Sequence, residues 1–98
     1  MLFAGTYSFR PDSDQRAGLK RFQAWAPPDG FVFQGHWQRA DGAGGLFLAE
    51  VESAEAAFEA TAAWTDLIEF DIVPVLDVTE AVPVTAKVLA WIDSIAEE

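Results

Sequence analysis

Residues 31–52 read FVFQGHWQRADGAGGLFLAEVE, and this stretch decides the fold. Apolar and polar side chains alternate from Phe31 to Arg39, which is the period of a half-buried strand. The Asp41-Gly42 pair supplies the positive φ of a hairpin turn, and the chain returns as a second strand over residues 46–52. The alternation predicts one strand face with Phe31, Phe33, Gly35 and Trp37 and an opposite face with Val32, Gln34, His36 and Gln38.

A strand and a helix precede this hairpin. Residues 2–9 are rich in aromatic side chains and free of charge and proline, which predicts a strand. Asp12, followed three residues later by Gln15, resembles a capping box and predicts that a helix begins there. The helix is expected to end near Ala26, because residues 27–30, Pro-Pro-Asp-Gly, are a strong stop signal.

A helix and a strand also follow the hairpin. Ser53 is a good N-cap and Glu55 suits the positive end of the helix dipole, so a second helix is predicted from there to about Asp66. Residues 67–77 alternate again and predict a fourth strand. Within that strand Pro74 indicates an edge position or a bulge, since proline cannot donate to a neighbouring strand.

The last predicted element is a C-terminal helix over about residues 80–96, with Pro83 in its first turn. Its apolar stripe consists of Val84, Val88, Trp91, Ile92 and Ile95. An isolated helix of this length is marginal in water, so packing has to hold it. We expect the stripe to dock on the sheet edge, on the other helices or on a partner subunit.

The order β-α-β-β-α-β-α defines the fold class. It predicts one α+β domain over residues 1–98, a ferredoxin-like βαββαβ unit with a four-stranded antiparallel sheet and an extra C-terminal helix. Both crossover helices then cover one face of the sheet. An apolar second face has to be covered as well, and the chain offers no further layer on that side, so a homodimer is expected.

Composition and charge exclude several classes of function. The 98 residues contain no cysteine, which excludes disulfides, cysteine nucleophiles and thiolate metal sites. The formal net charge is −10, and residues 51–98 hold one lysine against eleven acidic residues. An acidic surface repels phosphate backbones, so we expect no nucleic-acid partner.

No targeting or membrane segment is expected either. The first residues, MLFAGTYSFRP, lack a basic stretch followed by a long apolar run, which argues against a signal peptide. No apolar run approaches the ~18 residues that a membrane helix needs. The sequence therefore predicts a cytoplasmic protein without a membrane partner.

His36 is the candidate catalytic residue. It is the only histidine and the only side chain whose ordinary pKa lies near neutrality. A general base or proton shuttle is one interpretation. The other is a polar strand residue that faces solvent or a dimer groove.

Tyr7, Trp37 and Trp64 are the candidate ligand-binding residues, because together they can line an aromatic pocket. The alternative is ordinary core packing, which is the commoner use of aromatic side chains. No metal or cofactor is predicted. The chain has one histidine and no Glu-x-x-His spacing, and a solvated strand face explains the pair Glu69 and Asp71 as well as a cation site does.

Four segments resemble a family of short bacterial proteins known only as a domain of unknown function. The resemblance covers nearly the whole chain. The segments are Tyr7-Ser8-Phe9-Arg10-Pro11, Gly35-His36-Trp37, Asp41-Gly42-x-Gly44-Gly45 and Trp64-x-Asp66-Leu67-x-Glu69-Phe70-x-Ile72-x-Pro74-Val75.

That family resembles the dimeric α+β barrel group, in which two ferredoxin-like sheets pack together, often with a ligand cavity in each protomer. The group includes cofactor-independent monooxygenases, lactone isomerases and haem-degrading enzymes, so the resemblance implies a fold and a dimer rather than a reaction. Haem-degrading members use an asparagine on the first strand, a tryptophan on the second helix and a late histidine. Trp64 matches the tryptophan, but Thr6 or Tyr7 replaces the asparagine and no histidine follows His36, which argues against haem degradation.

Two hypotheses of function remain at this point. The first is a dimeric protein that binds or transforms a small organic ligand in an apolar cavity. The second is a non-catalytic homodimer that engages a protein partner through its acidic surface or its C-terminal helix. An enclosed cavity of ~300 Å³ or more with converging polar groups favours the first hypothesis.

Overall fold

The predicted hairpin is present, and the predicted order of elements is confirmed. The computed structural model of the chain describes residues 1–96. Its elements are β1 (Leu2–Phe9), α1 (Gln15–Ala24), β2 (Phe31–Gln38), β3 (Gly44–Val51), α2 (Ala54–Ala62), β4 (Ile68–Pro74) and α3 (Val78–Ala96).

The four strands form one antiparallel sheet in the order β2-β3-β1-β4. This is the ferredoxin-like arrangement, with the two crossover helices on one face and α3 added at the C-terminal end. Strands β1 and β3 are central, and β2 and β4 are the edges. Pro74 ends β4, so the edge position predicted for this proline is confirmed.

The helix starts follow the caps, with one correction. Ser53 caps α2 as predicted, and its hydroxyl accepts from the backbone N–H of Ala56 at 3.1 Å. Helix α1 begins later than predicted, because Asp14 rather than Asp12 is its N-cap. The Asp14 carboxylate accepts from the N–H groups of Arg16 and Ala17 at 2.9 and 3.4 Å.

Both crossover helices end earlier than the sequence indicated. Helix α1 ends at Ala24 and α2 at Ala62, and a turn connects α2 to β4. An ion pair holds α1 to that turn: the Arg21 guanidinium donates to both carboxylate oxygens of Asp66, at 2.7 and 2.9 Å. The early end of α2 thus creates an anchor for α1.

A β-bulge changes the faces of β2. Phe33 pairs with Ala49 and Gly35 pairs with Leu48, so β2 contains one extra residue at this point. A one-residue shift moves every following side chain to the other face. The strict alternation predicted for this strand is therefore wrong beyond Phe33, and His36 joins the face of Phe31 and Phe33.

The core lies between the sheet and α2. Phe31, Phe47, Ala49 and Val51 are buried on the helix-covered face. Helix α2 turns Ala56 and Ala60 toward them, and the small side chains let the helix approach β2 and β3 closely. We call this side of the sheet the helix face.

The opposite side of the sheet, the open face, is covered by no other element of residues 1–96. It carries the polar residues Thr6, Ser8, Glu50, Glu69 and Asp71 and the apolar residues Leu2, Ala4, Val32, Trp37, Leu46, Leu48 and Val73. Val32, Trp37, Leu46 and Val73 are each between 44% and 61% exposed. The open face is therefore partly apolar and meets solvent in the single chain.

Helix α3 lies apart from the sheet. Asp77 caps it, with its carboxylate accepting from the Thr79 N–H at 2.8 Å, so the helix begins before the predicted residue 80. Pro83 is consequently inside the helix rather than in its first turn. No other described element packs closely on α3, and the chain measures 62 × 29 × 20 Å because this helix extends away.

None of the helices described over residues 1–96 is both long enough and apolar enough to cross a membrane.

The buried ring of Phe47 tests the core. It is 4% exposed, so we expect Phe47→Ala to lower the free energy of unfolding by about 3–5 kcal/mol, through lost burial and the cavity left behind. Phe58→Ala removes the same ring from a site that is 73% exposed and should change stability by about 0.5 kcal/mol or less. Urea unfolding measures both; equal losses would contradict this core.

Candidate functional site

A cavity of about 830 Å³ lies between the helix face and the two crossover helices. It exists because α1 does not pack closely on the sheet, so aromatic side chains rather than backbone contacts bridge the gap. Its principal walls are Tyr7, Phe22, Trp25, Phe33, His36, Phe47, Trp64 and Phe70.

One polar pair lies among these rings. The hydroxyl of Tyr7 and Nε2 of His36 are 2.7 Å apart, which is hydrogen-bond distance. Tyr7 belongs to β1 and His36 to β2, so the bond spans the whole width of β3. The pair therefore joins a central strand to an edge strand above the sheet.

Two local features bring this pair together. The bulge in β2 turns His36 onto the helix face, where it lies opposite Phe47. Gly45 separates Tyr7 from β2, and a Cβ on this glycine would overlap the Tyr7 hydroxyl. The absence of a side chain at Gly45 is thus what lets the tyrosine lie across β3 and reach the histidine.

Aromatic rings surround the imidazole of His36. Phe33 stacks on it nearly parallel, with 5.0 Å between centroids and 9° between planes. Phe47 and Phe22 approach it edge-on, at 6.3 and 6.1 Å. These rings displace water from part of the imidazole, but His36 as a whole remains an exposed residue.

This environment keeps both members of the pair neutral near pH 7. Burial lowers the pKa of His36 below its ordinary value, because desolvation disfavours the imidazolium. Burial raises the pKa of Tyr7, because desolvation disfavours the phenolate. The Tyr7 hydroxyl donates to Nε2 in one imidazole tautomer and accepts from it in the other, so the pair can pass a proton in either direction.

Trp64 forms the side wall of the cavity. It is buried, and the ring of Trp25 meets it edge-on with 5.6 Å between centroids. The Arg21 guanidinium lies 5.6 Å from the centroid of the Trp64 ring, which adds a cation–π contact to the ion pair with Asp66. Helix α1 is thereby held at a fixed distance from the turn after α2.

The structure brings three of the four candidate residues together. Tyr7, His36 and Trp64 all line the cavity. Trp37 does not, because the bulge that turns His36 inward turns Trp37 onto the open face, where it lies over Gly35. Within residues 1–96 no group of three or more potential ligands could hold a metal ion.

Sequence reasoning missed several walls of this cavity. Phe33 and Phe47 were expected only as strand residues, and Phe70 only as part of the β4 alternation. Phe22 was expected only as a residue of the first helix. Trp25 was expected inside the first helix, but α1 ends at Ala24 and Trp25 is extended, so the helical period does not set its direction. Its one signal in the sequence is its position two residues before the Pro27-Pro28 pair, near the expected end of the helix.

The fold and site together define a ferredoxin-like α+β domain with an aromatic cavity between its sheet and its crossover helices. Residues 1–89 match the family described as Domain of unknown function (DUF3303), and the chain belongs to that family. The match extends from β1 into α3 and includes every wall of the cavity named above. No curated protein matches the chain.

The single histidine gives a direct test of the site. We expect His36 to titrate below its ordinary pKa of about 6.5 in the folded protein, and near that value in urea, where the rings no longer exclude water. Proton NMR of the one imidazole measures both values. Since the unfolded chain then takes up the proton first, wild type should lose stability relative to His36→Gln as pH falls below about 6.5. A folded pKa at or above 6.5 would contradict the described environment.

Gly45 gives a second test. We expect Gly45→Ala to push Tyr7 away from His36 and to displace the Trp37 carbonyl of β2, at a cost of about 3 kcal/mol by overpacking. The His36 pKa should move up toward its ordinary value as water enters. Gly18→Ala is the matched control. It lies in α1 at the cavity wall with ordinary contact distance to Leu67, and should be neutral or stabilising by up to about 1 kcal/mol. An unchanged His36 pKa in Gly45→Ala would show that the glycine does not position the pair.

Proposed function

We propose that this protein binds a small, flat organic molecule in the aromatic cavity and fixes its one polar group with the Tyr7–His36 pair. The observation that supports this most directly is that the 2.7 Å hydrogen bond lies in the wall of a mainly apolar cavity of about 830 Å³ that is open to solvent on one side. Ligand sites commonly have volumes of ~300–1,000 Å³, apolar walls and a few convergent polar groups.

The walls indicate the chemistry of the ligand. The aromatic rings around the cavity have different orientations, so an aromatic ligand can contact the faces of some rings and the edges of others. These rings belong to Phe33, Phe47, Trp25 and Trp64. The neutral pair favours a hydroxyl or carbonyl group over a fixed charge. Charged side chains lie at the rim instead, where Asp14, Arg16 and Asp41 are exposed.

His36 is proposed as the residue that handles protons if the ligand is transformed. In the tautomer whose Nε2–H donates to the Tyr7 oxygen, Nδ1 is the free nitrogen and accepts a proton from a ligand O–H or acidic C–H. Nε2 then gives its proton to the Tyr7 oxygen while the Tyr7 hydroxyl releases its own proton to water, so the pair returns to its neutral form. The resemblance to cofactor-independent enzymes of the barrel group supports this role by analogy of fold only. Binding without reaction uses the same contacts.

A second candidate function, contact with another protein chain, is favoured by the two uncovered apolar surfaces. The open face presents Trp37, Val32 and Leu46, and α3 presents its own stripe. A large exposed apolar patch on a soluble chain marks an interaction site. We propose a homodimer through the open face, because this side of the sheet is partly apolar and no other layer of residues 1–96 covers it. Dimerisation and ligand binding are compatible, because the cavity lies on the opposite side of the sheet.

The ligand proposal is tested with 2-naphthol and naphthalene, which differ by one hydroxyl. We expect both to raise the thermal unfolding temperature of wild type, with the larger shift for 2-naphthol because Tyr7 and His36 bind its hydroxyl. His36→Ala should lose this difference while still unfolding cooperatively. Trp37→Phe, on the open face, is the control and should keep it. No shift with either compound, or an unchanged difference in His36→Ala, would contradict the proposal.

A further inference from the structure

Helix α3 has a surface that its own domain does not cover. Eight large apolar side chains on it are each 46–74% exposed: Val78, Val82, Val84, Val88, Leu89, Trp91, Ile92 and Ile95. Val84, Val88, Trp91 and Ile95 are spaced by four, three and four residues, the spacing of a helix–helix seam. We call these four residues the α3 seam.

The geometry of the linker directs α3 away from its own sheet. Strand β4 ends at Pro74 and α3 begins at Val78, so residues 75–77 are the whole connection. The N–H of Val75 still donates to the carbonyl of Leu2, and Asp77 already caps α3. A connection bonded at both ends leaves few residues in which the chain could reverse direction. The helix of 19 residues then extends for about 28 Å beyond the sheet.

We infer that α3 is an exchanged arm whose seam packs on a second copy of this chain, reciprocally in a twofold dimer. This inference deepens the dimer proposed above and is independent of the ligand proposal. In a twofold contact the same surface serves both partners, so each copy covers the arm of the other.

The size of the uncovered surfaces matches a dimer. The eight exposed residues of α3 join Val32, Trp37, Leu46 and Val73 of the open face. A stable interface uses ~20–30 residues and ~800 Å² per partner, with an apolar centre and a polar rim. Twelve large apolar side chains per copy are enough for that centre. A small foreign peptide bound to α3 would cover the helix but would leave the open face in solvent.

The net charge opposes association of two copies by a long-range repulsion that salt screens, so the choice of a second copy rests on the apolar surfaces. Each chain has a net charge of −10, and a basic protein would be drawn to the acidic residues. The α3 seam contains no charge, so its burial is apolar and does not bring like charges together. Lys87, the only basic residue after Arg39, lies on α3 beside the seam, three residues after Val84 and four before Trp91.

The test is the mass in solution across micromolar concentrations, measured by light scattering. We expect wild type to give about twice the chain mass of 10.7 kDa. Val88→Glu places a carboxylate in the seam and should raise the dissociation constant of the dimer at least tenfold. Ala90→Glu adds the same charge on the polar side of α3 and should leave it unchanged. Because α3 does not pack on its own domain, both variants should keep the His36 NMR signal of the folded chain.

Leu46→Glu on the open face separates the two proposals. If Leu46→Glu dissociates the dimer and Val88→Glu does not, the sheet contact stands and the exchanged arm is overturned. A wild-type chain that is monomeric throughout the range overturns both.

Discussion

A four-stranded sheet has two faces, and the two crossover helices of this chain reach only one of them. The cavity and the exposed apolar surface both follow from which elements cover each face of the sheet. On the covered side α2 packs closely through Ala56 and Ala60, while α1 is held off by Phe22 and Trp25, so the layer is open where the aromatic rings meet. On the uncovered side the sheet keeps Val32, Trp37 and Leu46 in solvent, although burying each would contribute about 1.5–3 kcal/mol.

The candidate site depends on two changes of one residue each. One extra residue in β2 selects which of two neighbouring side chains, His36 or Trp37, faces the helices. One absent side chain, at Gly45, decides whether Tyr7 can cross β3. Neither feature adds stability by itself, since a bulge leaves a residue unpaired and glycine weakens a strand. Their presence side by side in one hairpin supports a role for the pair that they assemble.

The sequence predicted the framework well because its signals are local. Ser53 as a cap, the turn at Asp41-Gly42 and Pro74 at an edge each have one physical reason and each were confirmed. The sequence could not predict which face of the sheet each side chain of β2 occupies beyond Phe33. A bulge depends on how two strands pair, and it does not show in the apolar–polar pattern of a single strand. The role of Trp25 was hidden for the same kind of reason: it lies past the end of α1, where tertiary contacts set its direction. The cap at Asp14 rather than Asp12 is a choice between two equivalent side chains.

The edges of the sheet determine how far such a protein can assemble. An unpaired strand can recruit a strand of another molecule, and repetition of that contact produces open-ended fibres. Here β4 carries Glu69 and Asp71 along its length and ends in Pro74, while β2 is interrupted by its bulge. Sideways addition is therefore disfavoured at both margins. Addition of a further strand is thus the less favoured way for two copies to meet, although the strands themselves are long enough to pair.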